Sequence, residues 1–539
     1  MTTAPSPREA ADARGPCVDV FVLGGGIQGT GVARDAAGRG LSVVLCEQDD
    51  LASGTSWASS KLVHGGLRYL EHGELRLVHE ALAEREILLA AAPHLVRPLR
   101  FLLPHAPWLR SAWTIRVGLF LYDHLARRSK LDGSDAVALA DIPAGRCLKP
   151  ELSRGFLYSD CFADDARLVL GNARDAARRG ATILLRTRVI KARRVGELWE
   201  IECRQTDLDG RTTSRNFRAR AFVNAAGPWA RQVLDDVVSS RSPSTVRKVK
   251  GSHIVVPDVG NGDTALILQH EDRRVVFVIP WFGHSLIGTT DVPLTGDPAT
   301  AEATVEEVEY LCEATNRFLR APIDADDVVF AFAGVRPLFD EGDDDEDASS
   351  ASRDDHVERE GRAGEAPLVS VFGGKLTTYR RVAERVLSEL RDDLPRMGPA
   401  WTHEATLPGG DIAEGSCEGS LAALRAERPA LPAGILSALV ARHGSEARAV
   451  LGDARTPDDL GARFGHDLCE REVIWMAEHE WARTLDDVIL RRSKAVLSLD
   501  AEQRGPLEDC VRRAARAATR SGTSARSGTA PRDDREGRE

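Results

Sequence analysis

VDVFVLGGGIQGTGVARDAAGRGLSVVLCE, residues 18–47, decides the fold. Val18–Gly24 is a short apolar run closing on glycines, the pattern of a parallel strand buried on both faces. Gln28–Arg39 is small and alanine-rich, suited to a helix lying close on a sheet, and Leu41–Glu47 repeats the strand pattern. Strand, helix and strand within about 30 residues form a βαβ unit, the seed of an α/β fold. Gly24, Gly26 and Gly29 stand in G-x-G-x-x-G spacing, with Gly25 and Gln28 in the same turn. Gly24 serves the tight turn, Gly26 the approach of backbone to a pyrophosphate, Gly29 the helix–strand contact. The helix that follows points its N–H groups and dipole at the phosphates. Glu47 stands about 20 residues on, where a carboxylate accepts hydrogen bonds from ribose hydroxyls and repels a 2′-phosphate. Glycine-rich turns also serve packing alone, but here strand, turn, helix, strand and acid fall in the order a dinucleotide requires.

The chain of 539 residues is long enough for two or three domains. With 42% hydrophobic and 28% charged residues it has the composition of an ordinary globular protein. Its net charge of -11 argues against a general nucleic-acid binder. The nine cysteines include no C-x-x-C pair, which suits a reducing compartment and leaves no metal site to expect. Residues 1–16 contain no apolar segment of a secretory signal and read as a disordered lead-in. No run of 18 apolar residues offers a membrane-spanning helix, so the expected compartment is the cytoplasm.

Further strands are expected at residues 181–189, 198–203, 220–227, 252–257, 274–280, 285–291 and 367–374, with helices over 74–91 and 377–390. Glycine-bearing strand ends recur far downstream at NAAGPWA (224–230) and FGGKLTTY (372–379). A chain that returns to its nucleotide domain so late closes over an extended dinucleotide, which favours FAD over NAD. The expected architecture is a Rossmann-like FAD-binding domain (17–95, 156–245 and 325–395, with an acidic insert at 341–360), interleaved with a mixed-sheet substrate and membrane-facing domain (96–155 and 246–324). A C-terminal α-helical domain (399–511) and a disordered tail (512–539) complete it.

The run SGTSWASSKLVHGGLRYLEHGELRLVHEALAERE (53–86) closely resembles the respiratory, FAD-dependent (aerobic) glycerol-3-phosphate dehydrogenases. GSHIVVP (251–257), FVIPW (277–281), IGTTD (287–291), GVRPL (334–338), FGGKLTTYR (372–380) and TLDDVILRR (484–492) belong to the same pattern, which covers about Val18 to Val511. The resemblance implies non-covalent FAD and oxidation of sn-glycerol 3-phosphate to dihydroxyacetone phosphate by hydride transfer to the flavin. It also implies delivery of the electrons to membrane quinone. An oxidase that passes them to oxygen and makes peroxide is the alternative. A homodimer is compatible with either.

The chemistry asks for cations at the substrate phosphate and a base at its secondary hydroxyl. Planar guanidinium groups bind phosphate by bidentate, charge-assisted hydrogen bonds. Within the family motifs Arg68 and Arg336 fill that role, with Lys375 at the substrate or steadying the flavin. An imidazole is the natural base near neutral pH. His253 is the candidate, although a histidine opening an apolar strand also serves as a satisfied core residue; His64, beside two glycines, is expected to line the flavin. Tyr69 either orients substrate or packs. The remaining cofactor contacts are expected from Ser53, Ser60, Lys61, Gly65, Val189, Ala226, Gly227, Trp229, Gly334, Gly374, Leu376 and Thr377.

Residues 97–130 carry seven cations against the single Asp123, inside an acidic protein, interleaved with Phe101, Trp108, Trp113, Phe120 and Tyr122. Trp113, Val117, Phe120 and Leu121 fall on one helical face. Such a segment lies at the surface of an anionic leaflet; a helix packed on the core with a solvated basic face is the other reading. The first predicts peripheral attachment to the inner membrane.

Overall fold

The computed structural model describes residues 15–67, 70, 73–126, 130–272, 274–340, 355–412 and 416–521. Arg68 and Tyr69, most of the acidic insert, most of the lead-in and residues 522–539 lie outside the described residues.

Along the chain come β1 (Cys17–Leu23), α1 (Ile27–Gly38), β2 (Val43–Cys46), β3 (Leu62–Val63), α2 (Leu75–Ala91), β4 (Val96–Pro104), α3 (Ala112–His124), β5 (Asp135–Ala138) and β6 (Arg154–Ala163). There follow α4 (Asp165–Arg178), β7 (Thr182–Leu184), β8 (Thr187–Val195), β9 (Leu198–Thr206), β10 (Thr212–Asn224), β11 (Thr245–Pro257), β12 (Thr264–Gln269), β13 (Val275–Trp281), β14 (His284–Gly288) and β15 (Val292–Pro293). The remainder is α5 (Val305–Asn316), β16 (Phe330–Asp340), β17 (His356–Glu360), β18 (Leu368–Phe372) and α6 (Tyr379–Glu389), then the helices α7 (Cys417–Glu427), α8 (Ala433–His443), α9 (Glu470–His479) and α10 (Ala501–Ser521).

The first sheet has the order β17-β18-β10-β1-β2-β7, parallel from β18 to β7, with the β8–β9 hairpin attached to β10. Its strands read as unbroken apolar runs because both faces are covered. Val20 and Val22 pack with α1, α4 and α6, while Val18 and Phe21 pack with Trp199 and Ile201 of the hairpin. The small residues of α1 let it sink between its neighbours; eleven of its twelve residues are buried.

The second sheet has the order β15-β11-β14-β13-β12-β4-β6-β3, with β16 added along β11. Side chains alternate across a strand. Ile254 and Val256 therefore pack with Leu311 of α5 and Phe318 on one face, and Val255 with Phe101, Ile279 and Phe332 on the other. The second face also meets Leu82 of α2 and Leu119 and Tyr122 of α3. His253 has the parity of Val255, so the pleat itself turns it to that side.

The C-terminal helices clasp the nucleotide domain through buried ion pairs: Arg492 to Asp50 (2.8 Å at Nη2), Arg167 to Glu480 (2.7 Å) and Lys494 to Asp164 (2.5 Å). Charges taken out of water are tolerable only when paired in this way.

Three expectations are corrected. Residues 154–163 and 330–340 are strands of the second sheet, not of the nucleotide domain to which 156–245 and 325–395 were assigned. Their Arg, Pro and Gly residues break the apolar alternation, and sheet membership depends on partners distant in the chain. Residues 512–521, expected in the disordered tail, continue α10, because Ala514 and Ala518 pack on Ala477 of α9. Within 97–130, residues 96–104 are strand, and Phe101 and Tyr122 are buried rather than presented at a surface. Only α3 keeps the expected face: Trp113, Val117, Phe120 and Leu121 are 75%, 40%, 58% and 44% exposed.

Candidate active site

The functional segments meet at the carboxyl ends of the parallel strands, where ligands of open α/β sheets bind. β1 leads into Gly24, whose φ of +114° is open to glycine, and a Cβ there would overlap the carbonyl of Ala225 in the turn after β10. The Gly24–Gly26 turn and the Ala225–Gly227 turn are thus in direct contact. α1 starts with Gly26 as its N-cap and no side-chain cap on the helix. Ser56, which the sequence reading did not single out, places its hydroxyl 3.0 Å from the Ile27 amide and accepts its proton. Glu47, at the end of β2, accepts the Gly25 N–H at 2.6 Å and the Asp49 N–H at 2.9 Å. Burial pushes its carboxyl up to about 7 against these backbone donors.

After β18 the chain passes Gly373 and Gly374, both at positive φ, into Lys375, Leu376 and Thr377. The Gln28 amide is buried in the first turn of α1, and among the described residues neither its oxygen nor its nitrogen has a hydrogen-bond partner. It faces Gly374, where a Cβ would overlap Gln28 Nε2. A buried amide with both ends unsatisfied is costly unless a ligand completes it. That orphaned amide, the Glu47 carboxylate and the end of α1, whose N-cap Gly26 supplies no side chain of its own, fit a dinucleotide lying along the strand ends. The first two would meet its flavin side and its ribose, and the helix end its pyrophosphate.

Beyond Gly374 a cavity of about 1060 Å³ opens between the second sheet, helix α3 and the turn that follows β18. Ser60, His64, His253, Gly334, Arg336 and Lys375 line it. Antiparallel register sets two of them on one side: His253 lies opposite Phe332 and Val249 opposite Arg336, so His253 and Arg336 project from the same face of neighbouring strands. The His253 ring stacks on Phe332 at 5.0 Å and fits over Gly288, where any Cβ would overlap it. Its Nε2 lies 2.9 Å from Ser60 Oγ; its Nδ1 has no partner among the described residues. Burial first, then the charges of Lys61 and Arg336, hold the imidazole well below the usual histidine range, so it is neutral at physiological pH. Arg336 is fixed by an ion pair to Asp291 and by hydrogen bonds from Nη2 to Thr289 Oγ1 (3.0 Å) and the Thr290 carbonyl (2.7 Å).

Not every expected contact arrives. The Lys61 ammonium is turned into the core, 2.7 Å from Asp165 and bonded to the Trp57 carbonyl, because a buried charge seeks its counter-ion. Val189 lies in β8 in the apolar layer with Cys46 and Trp199, two residues past Thr187, whose N–H donates to the Glu47 carbonyl at 2.8 Å. Ser53 sits on the loop that follows Glu47, and Trp229 donates to Asp297 at 3.1 Å while its ring abuts Gly54. Asp291 lies within the IGTTD motif and Ser56 within the 53–86 run; no pattern inside either marks the residue's partner.

Residues 19–380 match the family of FAD dependent oxidoreductases, and residues 400–520 match the C-terminal domain of alpha-glycerophosphate oxidase. The aerobic glycerol-3-phosphate dehydrogenase of Escherichia coli is 49% identical over 486 residues, covering 90% of this chain and 95% of that protein. A D-erythritol 1-phosphate dehydrogenase of Brucella abortus is 48% identical, covering 90% and 96%. The structure of a glycerol-3-phosphate dehydrogenase from Bacillus halodurans complexed with FAD superposes with a TM-score of 0.72 at 26% identity, over 96% of each chain. The glycine turn, the orphaned Gln28 amide and these likenesses agree: the chain belongs to the FAD-dependent glycerol-3-phosphate dehydrogenase family.

Proposed function

We propose that this protein oxidises sn-glycerol 3-phosphate to dihydroxyacetone phosphate at the membrane surface and delivers the electrons to quinone. The observation that carries the reading is the placement of a neutral, buried imidazole and a braced guanidinium on one wall of a cavity that opens beside the cofactor turn. FAD, when bound, supplies the acceptor for the hydrogen and electron pair that leave C2 of the substrate.

The chain's own residues do the rest. Arg336, held in place by Asp291, Thr289 and Thr290, offers its charge and its remaining N–H donors to the phosphate. Lys375 adds charge from the turn after Gly374. Arg68 and Tyr69 join them on the strength of the family motif. His253, kept neutral by its surroundings, retains a lone pair and takes the hydroxyl proton as the C2–H bond breaks, with the Ser60 hydroxyl on its Nε2.

Peripheral membrane association at the cytoplasmic face rests on α3. Among the described residues no helix is long and apolar enough to cross a membrane. Yet α3 exposes Trp113, Val117, Phe120 and Leu121 together, next to Arg110 and Arg116. A contiguous apolar patch rimmed by cations suits an anionic leaflet, where quinone is dissolved.

The near-equal likeness to the Brucella relative makes D-erythritol 1-phosphate the substrate to compare. Anaerobic addition of each phosphate to the purified holoprotein should bleach the flavin band, faster with glycerol 3-phosphate. Bleaching only by the four-carbon phosphate would replace the substrate in this reading; bleaching by neither would end it.

A further inference from the structure

The loop that brings His64 to the cavity is held from behind by a helix whose other face looks outward. The Gly65 N–H donates to Tyr122 Oη at 2.8 Å, with Asp160 Oδ1 a weaker second acceptor at 3.4 Å. The phenol in turn donates to Asp160, whose oxygens lie 2.9 and 2.8 Å away, and Arg85 Nη1 meets the same carboxylate at 2.7 Å. Every member of the chain Gly65–Tyr122–Asp160–Arg85 is buried. Burial, then the Asp160 charge, pushes the Tyr122 phenol far above its usual range, so it keeps the proton it donates and its lone pair is left for Gly65. The fit is close: a Cβ at Gly65 would run into Leu82 and the Tyr122 oxygen. On the cavity side the His64 N–H reaches Thr377 Oγ1 at 3.4 Å, and Gly66 N–H closes on His64 Nδ1 at 3.1 Å. Tyr122 and Leu119 are the buried residues of α3; Trp113 and Phe120 of the same helix are exposed.

We propose that Tyr122 is a positioning residue for the reaction: its phenol sets the height of the His64–Gly66 backbone at the cavity, and so ties that backbone to the outward-facing helix α3. The inference rests on the reading of the cavity given above. Tyr122 touches no substrate. It acts by giving a backbone amide a buried acceptor, in a segment where a loop would otherwise pivot on its glycines.

The test is Tyr122→Phe in the FAD-loaded protein, with Val78→Ala as a packing control: Val78 is buried in the same apolar cluster but makes none of these bonds. Flavin bleaching by saturating glycerol 3-phosphate should slow on the order of tenfold in Tyr122→Phe, the scale of a misplacement of roughly half an ångström, where about 1 Å costs on the order of a hundredfold. KM should change much less than the bleaching rate, because Arg336 keeps its supports on Asp291, Thr289 and Thr290. Val78→Ala should bleach at the wild-type rate. Hydrogen exchange of peptide 62–67 should accelerate about tenfold in Tyr122→Phe alone. A wild-type bleaching rate in Tyr122→Phe, or an equal slowing in Val78→Ala, overturns the proposal, as does unchanged exchange. If the wild-type flavin is not bleached while exchange responds as expected, the functional reading fails and the tie stands. Should Tyr122→Phe not hold FAD, exchange in the wild-type protein decides: peptides 62–67 and 119–124 must open with one rate constant, and a loop that opens while α3 stays protected refutes the tie.

Discussion

Removal of Arg336 has a cost that can be worked from its surroundings. The guanidinium lines the cavity, half-buried, with Nη1 on Asp291 and Nη2 on Thr289 and Thr290. Arg336→Ala deletes a charge-assisted contact to the phosphate, worth about 1.5–2 kcal/mol at a partly solvated site. It also releases Asp291, itself at the cavity, to repel the same phosphate by about 1 kcal/mol through a partly aqueous medium. The sum of about 2.5–3 kcal/mol corresponds to a roughly 70- to 160-fold rise in KM for glycerol 3-phosphate. The contact is made equally to bound substrate and transition state, so kcat should change far less. Arg336→Lys should fall in between, since an ammonium cannot reproduce the fork. Adding Asp291→Asn to Arg336→Ala should recover about fivefold by removing the repulsion. Dye-linked steady-state assays at fixed ionic strength, with FAD content checked by absorbance, measure all three. A KM within threefold of wild type in Arg336→Ala, or a double variant no better than the single one, would refute the reasoning.

Two further outcomes follow from other parts of the molecule. The Glu47 carboxyl, raised by burial to about 7, accepts ribose hydroxyls most strongly when ionised, a state favoured above that pH. FAD affinity should therefore rise about tenfold from pH 6 to pH 8, and Glu47→Gln should weaken binding and flatten the profile; an unaltered pH dependence in that variant would remove Glu47 from the ribose. Trp113→Ser with Phe120→Ser, both exposed on α3, should abolish flotation with anionic vesicles while soluble-dye turnover stays within about twofold. A double variant that still floats would sink the surface assignment.

The parts of the site written in sequence are those whose partners are near in the chain. Gly24 and Glu47 sit within one βαβ unit, where a positive φ and a carboxylate beside the Gly25 N–H are set locally; Gln28 lies in the same turn, but its place opposite Gly374 is decided by the tertiary structure. The face of α3 was legible too, since four apolar residues at helical spacing define it regardless of what packs behind. What stayed hidden has distant partners. Lys61 belongs to Asp165, and Tyr122 to Gly65 and Asp160; no local pattern announces either pairing. Phe101 reads as a surface aromatic until β4 is seen in the middle of a sheet, paired with β6 and β12. The last turns of α10 carry only alanines toward the core, a stripe too weak to stand out from its arginines.

By itself, then, the sequence determined a dinucleotide turn at Gly24, an acid at the end of the next strand, and the motifs that mark a flavoprotein of this family. Local sterics and hydrogen bonding suffice for the first two, because a glycine at positive φ and a carboxylate at a strand end act within a few ångströms of their own backbone. Only the tertiary structure decided which residues face one another across the cavity. His253 and Arg336 share a wall through the antiparallel register of two strands some 80 residues apart, and a slip of one residue would turn either side chain to the opposite face. That register is set by the packing of both sheet faces at once, a balance that no single stretch of the chain contains.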